Sequence, residues 1–171
     1  MVLGHKKPES VKELGGHPIE WAALEDGQWI VAFDGELAVT SGGEQGELQR
    51  HSWSEFETAS WSEENGRIIL TYVDGSAPLV VHFEEGEKQK IAYVVRERLQ
   101  RSIVFQQGMD LPSGAAARGM VRRAGDESLF TQVIIDGQTG PEDDDAIAEL
   151  ERSLRDVTGI SDDQENANRV R

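Results

Sequence analysis

The sequence predicts an α+β protein: an antiparallel barrel or curled sheet of about seven short strands, capped by one helix and followed by a β-hairpin and a C-terminal helix. Three observations predict it. From Pro18 to Phe83, short apolar-rich segments are cut by tight-turn signals, with no helical crossover of the kind that parallel strands require. An Arg-bearing amphipathic stretch runs from Glu87 to about Ile103, and the residues from Pro141 to Gly159 carry helix start and stop signals.

Each element has its own justification. Residues 1–16 mix Lys, Glu, Pro and Gly, with Leu3, Val11 and Leu14 as spaced apolar groups, and read as a disordered or frayed arm with one helical turn after Ser10. The folded part, residues 17–107, opens with a strand over Trp21, Ala23 and Leu24, closed by Asp26-Gly27. Trp29 to Phe33 is apolar at every position, so both faces of this strand need burial and it belongs in the centre of a sheet. Asp34-Gly35 then predicts a type I′ hairpin into Glu36–Thr40, since such turns need positive φ. Ser41-Gly42-Gly43 reads as a loop and Gly46 to Trp53 as a weak fourth strand. Ser54-Glu55-Phe56-Glu57 matches a capping box, and Thr58 to Ser62 reads as a fifth strand. Asn65-Gly66 leads by a second hairpin into Arg67–Val73, Asp74-Gly75 closes that strand, and Pro78–Phe83 is the seventh, with Leu79, Val81 and Phe83 on one side.

At 100° per residue, Ile91, Ala92, Val95, Leu99, Ser102 and Ile103 share one arc of a helix, which predicts a seam that seals the sheet. Residues 108–160 are expected to pack on the same domain. Within them Ala116–Arg123 and Ser128–Ile135 form a hairpin across Ala124-Gly125-Asp126-Glu127. Pro141 near the first turn, acidic Glu142 to Asp145, the stripe Ile147, Leu150, Leu154 and Val157, and Gly159 at the end predict the last helix. The polar stretch 161–171 is expected to be a disordered tail.

Composition narrows the function classes. With 171 residues the chain can bury a self-sufficient core, and with no cysteine it has no disulfide, thiolate metal site or thiol nucleophile. The net charge of -15 disfavours nucleic acid and anionic membrane as partners. No secretory leader or span-length apolar run is evident, so a cytoplasmic location is expected. The charge is uneven: residues 87–125 carry eight Lys and Arg against three Asp and Glu, between two acidic flanks. The simplest reading is that this basic island pairs with those flanks inside the fold.

The fragments WIVAFDGELAV, SWSEFETASW and VVRERLQRSIV resemble those of an uncharacterised actinobacterial protein family, and seven strands followed by a helix resemble the pleckstrin-homology-like barrel. The resemblance covers about residues 18–160 and implies a fold of that type but no activity. Phosphoinositide-binding members of that superfamily use basic residues between the first two strands, where this chain has Glu25-Asp26-Gly27-Gln28. Two carboxylates repel a phosphate there by about 1 kcal/mol each at 4 Å in water.

No catalytic, cofactor or metal motif accompanies the fold. His5, His17, His51 and His82 lack metal-ligand spacing, and Gly137 to Asp145 lacks the alternating oxygens of a calcium loop. The tryptophans, Trp21, Trp29, Trp53 and Trp61, read first as packing and second as a stacking platform. Among Arg96, Arg98, Arg101, Arg118, Arg122 and Arg123, the candidates for a partner or anion contact are Arg98, Arg101, Arg122 and Arg123, whose planar forks suit carboxylate or phosphate. The leading expectation is a non-enzymatic protein-interaction or scaffold module with no cofactor. It includes a homodimer through the Ser128 to Ile135 edge. The alternative is a small-ligand or anion-binding protein or an enzyme, with Arg122, Arg98 and Glu97 lining a pocket between barrel and hairpin.

Overall fold

The computed structural model describes residues 7–40, 48–86 and 89–160. Among them are ten strands in three antiparallel sheets and a C-terminal helix, an α+β arrangement. The loop expected at Ser41-Gly42-Gly43, the start of the fourth strand, the start of the first long helix and the tail beyond Ile160 lie outside the described residues. The chain forms two compact units, Met1–Leu99 and Gln100–Arg171.

The first unit holds the seven expected strands. β1 (Glu20–Ala23), β2 (Trp29–Ala32), β3 (Glu36–Thr40) and β4 (Gln49–Ser52) form one sheet in chain order. β5 (Phe56–Ser62), β6 (Arg67–Tyr72) and β7 (Leu79–His82) form another. A closed barrel is not what these strands make. Closure needs ladder pairing at every seam. Here β4 passes to β5 through a 3-10 turn, Trp53–Glu55, and β1 meets β7 only at the Leu24–Phe83 bridge and the two flanking bonds, Glu25 N–H to His82 O and Glu84 N–H to Ala23 O.

One core serves both sheets. Ala22, Leu24, Ile30, Ala32, Leu37 and Val39 from the first, and Phe56, Ile68, Leu70 and Val81 from the second, bury together with Trp53 and Phe83. Helix α2 (Gln89–Ser102) adds Ile91, Val94, Val95 and Leu99. Val94 replaces Ala92 as the fully committed seam residue, and α2 stops at Ser102, one residue short of the expected Ile103.

Local chemistry departs from expectation at two turns. The Asp34-Gly35 hairpin is present, closed by Phe33 N–H to Glu36 O, yet neither residue has positive φ. Tertiary bonds hold this turn instead: Trp53 donates its backbone N–H to Gly35 O and its Nε1–H to Phe33 O, and Arg98 pairs with Asp34. The capping box sits two residues earlier than expected, with the Ser52 N–H donating to Glu55 Oε1, because the chain turns at Trp53 rather than beginning a helix at Ser54.

The expected frayed arm is ordered where it is described. Residues Glu9–Glu13 form α1, whose Val11 is fully buried with Val31, Phe33 and Ala38. This is the cover that the two-faced β2 demanded: Ile30 and Ala32 point to the shared core, and Val31 to α1.

The second unit is a three-stranded sheet, ordered β10-β9-β8, with helix α3 (Asp144–Thr158) on one face. β9 (Ala116–Arg123) and β10 (Leu129–Asp136) are the expected hairpin, and β8 (Ile103–Asp110) is an added third strand. Leu150 and Leu154 of α3 bury against Ala117 and Val121. Gly119 lets the helix approach, since a Cβ there would lie 2.7 Å from Leu154 Cδ1. Asp143, fully buried, joins the helix start to the β8–β9 turn by accepting N–H bonds from Ser113 at 2.9 Å and from Gly140, in the preceding loop, at 3.0 Å. Those bonds outweigh burial, which alone would raise its pKa, and hold the carboxyl below its ordinary value. Gly159 ends α3 in the left-handed conformation at φ 68°, as the sequence implied.

Candidate functional site

The four arginines singled out by sequence meet three different environments. Arg98, on α2, is largely buried; it donates to Asp34 at 2.5 Å and to Glu97 at 3.1 Å. Arg122, on β9, has no exposed surface. It donates to Ser102 Oγ at 2.8 Å and Gln132 Oε1 at 3.2 Å, and burial pulls its pKa down to about 10, so it remains charged at neutral pH. Arg123, next in chain, points to the opposite face of the sheet and donates to Glu127 Oε2 at 2.9 Å. Arg101, at the end of α2, reaches Glu127 Oε1 at 3.5 Å. Arg101 and Arg123 therefore converge on one carboxylate, while Arg122 offers nothing to an outside partner.

A second constellation lies on the outer face of the first sheet. Strand alternation and register place Trp21, Trp29, Val31, Phe33 and Ala38 on this face. Val31, Phe33 and Ala38 are the floor, and half-buried Trp21 and Trp29 flank it. Onto the floor α1 sets Val11 and Leu14, an i,i+3 pair. Arg50 of β4 completes the seat: its guanidinium lies 5.7 Å from the Phe33 ring centre, pairs with Glu36, and donates from Nη2 to Leu14 O at 2.9 Å. A cation is thus fixed where a helix ends in unpaired carbonyls and a partial negative charge. Arg50 was legible only as an isolated cation among acidic residues.

The remaining tryptophans belong to the interior. Trp53 is buried, and Trp61 lies edge-on to Phe83 at 5.5 Å between ring centres. His82 is exposed between buried Val81 and Phe83, as strand alternation requires. His51 sits between Glu55 and Tyr72, each at 3.4 Å, and its ring contacts Phe56 and Tyr72. These distances are long for hydrogen bonds, and the group reads as a packed corner between the sheets. Burial, then the charges of Glu55 and Asp74, raise the Tyr72 pKa. Among the described residues no group of three or more His, Cys, Asp or Glu is placed to hold a metal ion.

The turn from β1 to β2 keeps exposed Glu25 and Asp26 at its tip, with Asp26 Oδ1 accepting the Gln28 N–H. β10, with β8, is an outer strand of its sheet. No helix among the described residues is long and apolar enough to cross a membrane. Comparisons with protein-family models, with curated proteins and with solved structures found no match to this chain.

Proposed function

We propose that the protein is a cytoplasmic, non-enzymatic protein-interaction module whose first unit is a variant of the pleckstrin-homology-like fold. Four strands, three strands and one helix around a single core support that reading, as does the bridge between the first and last strands. The partner is a protein carrying a short amphipathic helix, and it docks on the outer face of the first sheet.

One observation carries this: that face already holds a helix. A floor of Val31, Phe33 and Ala38, flanking Trp21 and Trp29, and a helix-end cation at Arg50 form a seat with both apolar and directional recognition. Its present occupant is a single turn of five residues, far below the length at which a helix is stable alone. The acidic first turn and the net charge of -15 argue for a protein over nucleic acid or anionic lipid. Site-specific photocrosslinking from position 29 in living cells tests this, with position 71, on the other sheet, as control. A discrete protein adduct from 29 that is absent from 71 is expected. Equal labelling from both positions, or none from 29, would overturn the proposal.

A further inference from the structure

We infer that the protein pairs with a second copy of itself through β8, edge to edge and antiparallel about a two-fold axis at Gln107, so that two three-stranded sheets become one of six strands. The surface lies wholly within the second unit and is independent of the helix-docking face.

This edge is open. β8 is an outer strand of eight residues, so along its free side the backbone N–H and C=O groups have no ladder partner among the described residues. Val104, Gln106, Gln107, Gly108 and Asp110 are all exposed. The strand has no Pro, Lys or Arg to blunt it, its one charge, Asp110, stands at the far end, and its one irregularity, between Ile103 and Phe105, lies at the start. The other outer strand, β10, is half-buried from Leu129 to Ile134, so β8 is the more accessible template.

The side chains favour a second copy over an unrelated strand. Phe105, Gln107 and Met109 alternate onto the face that carries α3, opposite Val121, Gly119 and Ala117 of β9. α3 packs chiefly over β9 and β10, and at the β8 margin Phe105 and Met109 stay half-buried and Gln107 exposed. Phe105 and Met109 sit symmetrically about Gln107. An antiparallel two-fold there sets Phe105 of each copy opposite Met109 of the other, with Cβ atoms about 4.5–5.5 Å apart. Sulfur against an aromatic ring is a favourable pair, and the symmetry makes it twice. Gln107 then faces its own counterpart, and Gln106 faces Gly108, which has no side chain to obstruct it. Each Asp110 opposes a Val104, so no like charges meet. An axis at Gln106 would set Phe105 against Gln107 and lose both apolar pairs, so the pattern selects one register. Repulsion between two chains at -15 is screened beyond about 8 Å at physiological salt.

The experiment is sedimentation equilibrium of the full chain at physiological salt, joined to single-cysteine crosslinking in a chain that has no cysteine of its own. The mass should rise from one chain toward two between about 10 μM and 1 mM, as befits a contact at the low end of specific interface sizes, below about 1,200 Å². Gln107→Lys brings two cations face to face at the axis and should weaken the dimer about tenfold or more, with the fold retained by circular dichroism. Under mild oxidation Gln107→Cys should give a disulfide-linked dimer. Gln106→Cys should not, because its counterpart lies diagonally across the ladder at about 7–8 Å, beyond the span of a disulfide. A chain still monomeric at about 1 mM, an undiminished dimer in a folded Gln107→Lys variant, or no preference for crosslinking in Gln107→Cys over Gln106→Cys would overturn the assignment.

Discussion

Arg122 and Arg98 carry the same side chain, and their surroundings set different costs for removing them. Arg122 is enclosed and hydrogen-bonded to Ser102 and Gln132, so Arg122→Ala empties a buried site and strands those partners. A loss of about 1–3 kcal/mol per stranded partner is expected in urea unfolding at pH 7. Arg98 pairs with an Asp34 that is mostly in water, and Arg98→Ala should cost about 1 kcal/mol. Equal losses would refute the distinction. Asp143 adds a pH signature. Its folded pKa is held below the ordinary 3.8, so its contribution is fully present above that value and disappears as pH falls through the lower folded value. Thermal melts of wild type and Asp143→Asn should accordingly differ at pH 7 and converge below pH 3.8. A gap that persists into acid would contradict the role given to its ionised form.

At the scale of elements, α3 packs against β9 because Gly119 leaves room for Leu150 and Leu154. Gly119→Val should destabilise the second unit by about 1–3 kcal/mol through overpacking, measured by chemical denaturation; an unchanged midpoint would show that the helix can shift freely. Most elements were legible because their signals are local. Turn dipeptides and alternating apolar residues marked β2, β3, β5, β6 and β7, and the proline, acid run and terminal glycine marked α3. What escaped depends on tertiary partners. β8 was hidden because Ile103 continues the helical seam of α2, although Ile103, Phe105 and Met109 alternate as a strand does. The wall stayed open because no sequence pattern specifies which seams pair. The turn of α1 was anticipated after Ser10, but its packing was not, since two apolar residues in ten carry little signal. The requirement for it lay in β2, whose second apolar face had to be covered. The candidate arginines were legible as a basic island, but their individual partners were not, and the seat around Arg50 combines residues from α1 and the first four strands.

Across the whole molecule, charge is sorted so that the basic middle of the chain neutralises parts of both acidic ends. Lys90 pairs with Glu20 and Arg98 with Asp34, while Arg101 and Arg123 meet Glu127. The net charge of -15 nonetheless leaves self-repulsion, and raising sodium chloride from low to about 0.5 M should raise the melting temperature by screening it. A fall would mean that the ion pairs outweigh the repulsion. Function in this account rests on a sheet with two apolar faces, one closed permanently by the core and the other by a single helical turn. The most direct measurement is an NMR titration of the folded full-length Val11→Glu variant, whose seat is opened, with a helix-stabilised peptide of residues 7–16. The indole resonances of Trp21 and Trp29 should move saturably while those of Trp53 and Trp61 stay fixed, and a peptide carrying the same Val11→Glu change should have no effect. If all four indoles respond alike, or if Trp21 and Trp29 do not respond, the outer face is not a helix-docking surface.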